Sequence, residues 1–179
     1  MIETERLILR RWRAADRAPF ASLNASAEVC AFLPKQLTRE ESDALADRIE
    51  LHFEERGFGL FAVERKDKNA FIGFTGLSVP RFEAPFMPAV EIGWRLDHAQ
   101  WGQGFATEAA RGALAHGFGQ LGLEEIVSFT VPMNIRSRAV MEKIGMRHDP
   151  ANDFDHPMLE PGNRLRRHVL YRIKREELA

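Results

Sequence analysis

Apolar and polar residues recur along the chain in two periods, and the changes between them outline its elements. Residues 5–12, ERLILRRW, are short and branched and predict a strand. Residues 14–27 are alanine-rich and predict a helix. Thr38 opens a stronger helix: Glu41 follows at the capping-box spacing, Leu45, Ile49 and Phe53 share one face, and Gly57 closes it. Across residues 59–77 two apolar runs flank Lys66-Asp67-Lys68-Asn69, the pattern of a hairpin. Pro80, Pro85 and Pro88 mark a loop. Residues 89–97, AVEIGWRLD, predict the next strand, 104–119 a helix, 124–131 a strand, and 134–144 a helix closed by Gly145. Residues 147–163 read as a long polar loop and 166–174, RRHVLYRIK, as a last strand. This order predicts a mixed α/β or α+β sheet. Its run of hairpin-like strands argues against a doubly wound parallel sheet.

No repeat, low-complexity tract or linker divides the 179 residues, so a single domain over 1–179 is expected. Twenty-five basic residues against 26 acidic ones argue against a nucleic-acid partner. Arg164, Arg166, Arg167, Arg172, Lys174 and Arg175 make either a local basic patch or a solvated strand and terminus. The one cysteine, Cys30, leaves no intrachain disulfide or Cys-based metal site and fits a cytoplasmic location. Among the apolar residues of AEVCAFL it reads as an inert buried thiol. MIETERLILRRW does not have the form of a signal peptide, and no window approaches the ~20 apolar residues of a membrane helix. No membrane partner is therefore expected.

Residues 101–109, WGQGFATEA, carry the candidate chemistry. A strand that feeds a helix through a glycine-rich turn makes an anion site, because the first N–H groups of the helix have no internal partner and the helix dipole is positive there. Gly102 and Gly104 lack Cβ atoms that would hold a phosphate away, Ala106 keeps the next turn narrow, and Thr107 offers a hydroxyl. The stretch is neither GxxxxGK[ST] nor GxGxxG, since Thr107 stands where a third glycine belongs. A tight turn without a ligand is the alternative.

EIGWRLDHAQWGQGFATEA, residues 91–109, resembles motif A of the GNAT N-acetyltransferases, most closely the RimJ/RimL-like subgroup. Asn134-Ile135-Arg136-Ser137 followed by Met141-Glu142-Lys143-Ile144-Gly145-Met146 resembles motif B, and ETERLILR the first strand of that subgroup. The resemblance implies an α+β GNAT fold: a mostly antiparallel, splayed sheet of six to seven strands flanked by four helices. It implies acetyl-CoA as acyl donor, no metal, and an amine acceptor, either a protein N-terminus or a small molecule. Main-chain N–H groups of Gly102, Gln103, Gly104, Phe105, Ala106 and Thr107 would hold the pyrophosphate. The strand through Trp94, Arg95 and Leu96 would pair with the pantetheine arm as an added strand. Asn134 would contact the cofactor, cap its helix, or both. Trp101 replaces the Gln or Arg of the broader motif, so no side-chain phosphate contact is expected there. A homodimer is compatible with all of this.

The reaction needs a neutral amine, which costs a lysine about 4–5 kcal/mol at pH 7 and an α-amine about 1 kcal/mol. Glu91, at the start of the cleft strand, is the expected general base, acting through water; the alternative is an ion pair with a neighbouring arginine. Period-two alternation puts it on one face with Gly93 and Arg95. Met141 stands where many family members carry an acidic tyrosine. Ser137 is therefore the candidate acid, or else a plain helix-terminus serine. His156 is a second candidate base or an ordinary loop histidine, and with His168 lacks metal-ligand spacing. Tyr171 reads as packing with its hydroxyl at an edge, Trp12 and Trp94 as core or cleft wall. Two rival readings are a non-catalytic CoA-binding module of the same fold and a nucleotide-binding domain of another kind.

Overall fold

The computed structural model describes residues 1–178. Along the chain run β1 (Ile2–Glu3), β2 (Leu7–Arg10), α1 (Arg17–Asn24), α2 (Arg39–Arg56), β3 (Leu60–Arg65), β4 (Ala70–Ser78), β5 (Glu91–Leu96), α3 (Phe105–Gly119), β6 (Glu125–Thr130), α4 (Ile135–Lys143), β7 (Arg147–His148), β8 (Phe154–Asp155) and β9 (Arg167–Lys174). The strands form one sheet in the order β1–β2–β3–β4–β5–β6–β9–β7, with β8 also on β9. Every pairing is antiparallel except β5 with β6. The nine strands exceed the expected six to seven because β1, β7 and β8 are two-residue pieces, two of them inside the segment read as a loop.

Local chemistry explains the main boundaries. The Thr38 hydroxyl accepts the Glu41 N–H while Glu41 accepts the Thr38 N–H, and Gly57 closes α2 at φ 76°. Helix α1 starts only at Arg17, after a 3-10 turn at Ala14–Asp16, with Pro19 in its first turn where no N–H is needed.

Two helical layers cover the sheet. Phe20 of α1 packs edge-on to Phe74 of β4, with centroids 6.0 Å apart. A Cβ on Gly117 of α3 would stand 2.8 Å from Leu77 of β4. Residues 74 and 77 alternate to opposite faces of a regularly paired strand, so α1 and α3 lie on opposite sides. Arg95 pairs with Phe74 and Ile92 with Leu77, so Glu91, Gly93 and Arg95 share the α1 face, as the alternation predicts. The N-terminal part of the sheet is tied by a buried ion cluster. Arg10 donates to both carboxylate oxygens of Asp16 at 2.7 and 2.9 Å and to Glu64 at 2.7 Å.

Candidate active site

β5 and β6 part almost as soon as they meet. Their one register pair is Glu91 with Val127, beside the Val127 N–H donated to the Val90 carbonyl at 2.9 Å. One residue further the Ser128 hydroxyl, not a main-chain N–H, reaches the Ile92 carbonyl at 2.9 Å. β5 then continues along β4 to Leu96, while β6 follows β9, so a wedge opens between them. Ile92 aims its carbonyl at the β6 side, and so, by alternation, does Trp94. Leu96 does too, and the Trp101 indole N–H donates to its carbonyl at 2.9 Å.

The glycine turn stands at the wide end of this wedge. Gly102 and Gly104 have φ 75° and 83°, in the left-handed region, and Gly104 is the N-cap of α3. The Glu108 N–H is the first of the helix to find a main-chain acceptor, the Gly104 carbonyl at 3.0 Å. Among the described residues, none of the six N–H groups from Gly102 to Thr107 donates a hydrogen bond to the protein. Around Gly102 a Cβ would meet nothing within 4 Å, and at Gly104 only an Arg6 nitrogen at 3.4 Å. Bare donors with open space before them fit an anion. The side chains of these residues face elsewhere: Phe105 is buried, and the Gln103 amide returns to the Ala99 carbonyl at 3.0 Å.

Glu91 sits at the narrow end, on the α1 face. Burial alone pushes its carboxyl up to about 8, and among the described residues no arginine pairs with it. Arg95, on the same face of the strand, is held by Asn24, whose Oδ1 accepts at 2.6 Å, and lies over the Phe74 ring. Cys30 is buried with its thiol donating to the Asn24 carbonyl at 3.2 Å, and burial pushes that thiol up. This is an inert thiol, as expected.

Across the wedge, Asn134 caps α4. Its Oδ1 accepts the Ser137 N–H at 3.3 Å, and its Nδ2 donates to Thr130 Oγ1 at 3.0 Å and to Ser137 Oγ at 3.1 Å. Both Nδ2 protons of Asn134 are thus used inside the protein, while its Oδ1 keeps capacity for a second donor. Ser137, having accepted from Asn134, keeps its own proton free to donate.

His156 and His168 stand 5.2 Å apart in an aromatic cluster with Phe82, Phe86, Phe129 and Phe154. This cluster includes Val127, the register partner of Glu91. Burial lowers both imidazoles, which favours their neutral forms. The Tyr171 hydroxyl is not at an edge. It donates to Glu142 at 3.0 Å and accepts from Arg138 at 3.2 Å, fastening α4 to β9. Trp12 is packing, its indole donating to the Leu60 carbonyl at 2.8 Å, and Trp94 packs against the main core. The basic stretch is largely consumed in ion pairs: Arg166 and Arg167 with Asp155, Arg172 with Glu125, Arg175 with Glu124. Among the described residues no group of three or more His, Cys, Asp or Glu is placed to hold a metal ion, and no helix is long and apolar enough to cross a membrane.

Sequence reasoning missed Ser128 and Asn24. Ser128 had a signal, a lone hydroxyl in the apolar run EIVSFT; Asn24 had none, because its partner Arg95 lies 71 residues away.

Residues 6–147 match the family model of the GNAT acetyltransferase domain. An uncharacterised N-acetyltransferase of Bacillus subtilis, YnaD, is 28% identical over 177 residues, 98% of each chain. A GNAT-family acetyltransferase of Bacillus anthracis superposes with a TM-score of 0.81 at 26% identity, covering 98% of this chain and 99% of that one. RimJ of Mycobacterium smegmatis, solved with CoA-disulfide, shares the fold with a TM-score of 0.76 at 22% identity, covering 96% of this chain and 83% of the other. With the forked sheet and glycine turn in view, the chain belongs to the GNAT family, whose members are acetyl-CoA-dependent acyltransferases.

Proposed function

We propose that the protein transfers the acetyl group of acetyl-CoA directly to a primary amine in a ternary complex. One observation carries this reading: six consecutive N–H groups without protein acceptors, from Gly102 to Thr107, at the mouth of a wedge in the sheet. These groups would take the diphosphate, aided by the positive end of α3. The free edge of β5 at Trp94 would pair with the pantetheine amides, and the CoA-disulfide bound to the RimJ neighbour supports a coenzyme of this type.

Acetyl-CoA supplies an activated acyl group and a thiolate leaving group. The rest falls to this chain. Glu91, at the apex of the fork, would take the proton the amine loses, directly or through one water, as the new C–N bond forms. With its carboxyl near 8, about a tenth is ionised at pH 7, which suits an amine whose own pKa is near that value better than a lysine. Ser137, whose oxygen accepts from Asn134, would pass a proton to sulfur as the C–S bond breaks and regain one from water in the same step. The neutral imidazoles of His156 and His168 and their phenylalanine neighbours would border the acceptor on the Glu91 face. That wall carries little negative charge, which favours an α-amine or a weakly basic small amine over a polycation.

Free-thiol release from acetyl-CoA, followed over a panel of N-terminal peptides and small amines, tests the reading. Turnover with at least one amine is expected; tight acetyl-CoA binding with no turnover on any acceptor would leave the non-catalytic module. Calorimetry with acetyl-CoA, NAD and ATP tests the donor, and a preference for NAD or ATP overturns the assignment.

A further inference from the structure

Arg6 comes from the corner between β1 and β2, yet it reaches the glycine turn. Its Nη1 donates to the Gln103 carbonyl at 3.0 Å. Its Nε donates to Glu108 Oε2 at 2.6 Å, and its main-chain N–H donates to Glu108 Oε1 at 2.7 Å. The Thr4 hydroxyl donates to the same Oε1 at 2.6 Å. The Arg6 guanidinium also lies 4.5 Å from the centre of the Phe105 ring, and that of Arg65 4.7 Å. Arg65 in turn donates to the Gln100 side chain at 2.9 Å. The turn is therefore tied at Gln103 to the β1–β2 corner through Arg6, and the residues just before it are tied at Gln100 to the end of β3 through Arg65.

The Gln103–Gly104 peptide is the informative one. In a planar trans peptide the carbonyl and the N–H point in opposite directions. With the Gln103 oxygen drawn to Arg6, the Gly104 N–H must point away from Arg6. This peptide enters a glycine, whose φ turns freely. Without a partner for the oxygen it can flip and present a carbonyl where an anion should meet an N–H. Arg6 also lies against Glu108, a carboxylate in the first turn of α3 that would otherwise repel an incoming phosphate.

We propose that Arg6 is a positioning residue for the diphosphate turn: it fixes the Gln103–Gly104 peptide with its N–H toward the ligand and neutralises Glu108 beside it. The inference rests on the acetyl-CoA reading above and adds a residue outside the turn to it. The Arg6 side chain is 44% exposed, so its ion pair contributes little to stability. The loss of Arg6 should be felt in binding, and only by ligands that carry the diphosphate.

The test compares acetyl-CoA with S-acetyl-pantetheine, which has the thioester arm and no diphosphate. For wild type, acetyl-CoA should bind much more tightly. In Arg6→Met that preference should fall about ten-fold, through KM for acetyl-CoA rather than kcat, while KM for S-acetyl-pantetheine holds and the melting temperature moves by less than about 4 °C. Arg6→Lys, which keeps the charge but cannot serve both Gln103 and Glu108, should lie between them and gives a readout if the methionine variant folds poorly. An undiminished preference in both variants, or equal weakening towards both thioesters, overturns the role of Arg6. A wild type that does not prefer acetyl-CoA at all overturns the acetyl-CoA reading instead.

Discussion

In the proposed mechanism Glu91 combines two properties that are normally opposed: this half-buried carboxyl is desolvated enough to resist ionisation, and it would take the proton the amine loses. If it is the base, kcat/KM should rise with pH and level off near 8, and Glu91→Gln should lower turnover and flatten that rise while leaving acetyl-CoA affinity intact. Initial rates between pH 6 and 9 measure this. The same burial has a consequence for folding. The folded carboxyl holds its proton up to about 8, whereas the unfolded one releases it near 4.5. Stability should therefore fall as pH rises from about 4.5 to about 8. Glu91→Gln should melt progressively higher than wild type across that window. Ser137 makes a separate prediction. Ser137→Ala keeps the Asn134 cap on the Ser137 N–H and the Asn134 bond to Thr130, and removes the Ser137 hydroxyl both as proton donor and as acceptor from Asn134, so kcat should drop about 10²-fold with little change in coenzyme binding.

At the scale of elements, the chain is most legible where one segment decides its own conformation. The capping box at Thr38 and the closing glycine at 57 are local instructions, and α2 obeys both. Thr38→Ala should cost about 1 kcal/mol by denaturant unfolding and leave acetyl-CoA binding unchanged, since α2 does not touch the glycine turn. The hairpin around Lys66–Asn69 is equally local, and Asn69 accepts the left-handed φ of 47° its turn requires. The segment 147–163 was illegible for the opposite reason. β7 and β8 are two residues each, too short to show any period, and exist only because β9 offers them an edge. The candidate site divides in the same way. The glycine turn and the Asn134 cap can be read from adjacent residues. The unpaired state of Glu91 cannot, because which charged groups approach it is decided by packing between segments distant in sequence, as the Asn24–Arg95 contact across 71 positions illustrates.

Over the whole molecule, the sheet is two antiparallel halves joined at a single parallel contact. Ser128 is the fastener next to that contact, a buried hydroxyl on the Ile92 carbonyl. Ser128→Ala leaves that carbonyl without its partner and should cost about 1–3 kcal/mol, with weaker acetyl-CoA binding because the wedge is no longer held at its apex. Thermal melting and calorimetry on the same variant read both effects. The N-terminal half has its own anchor in the Arg10, Asp16 and Glu64 cluster. A parting of strands this abrupt leaves a stretch of main chain around Trp94 with hydrogen-bonding capacity facing a gap rather than a neighbour. Any slender molecule with amides at the spacing of an extended peptide can complete the ladder there, whatever its ends carry. Short linear peptidomimetics threaded into that slot would block the enzyme without resembling a nucleotide, which makes the backbone itself a target for inhibitors.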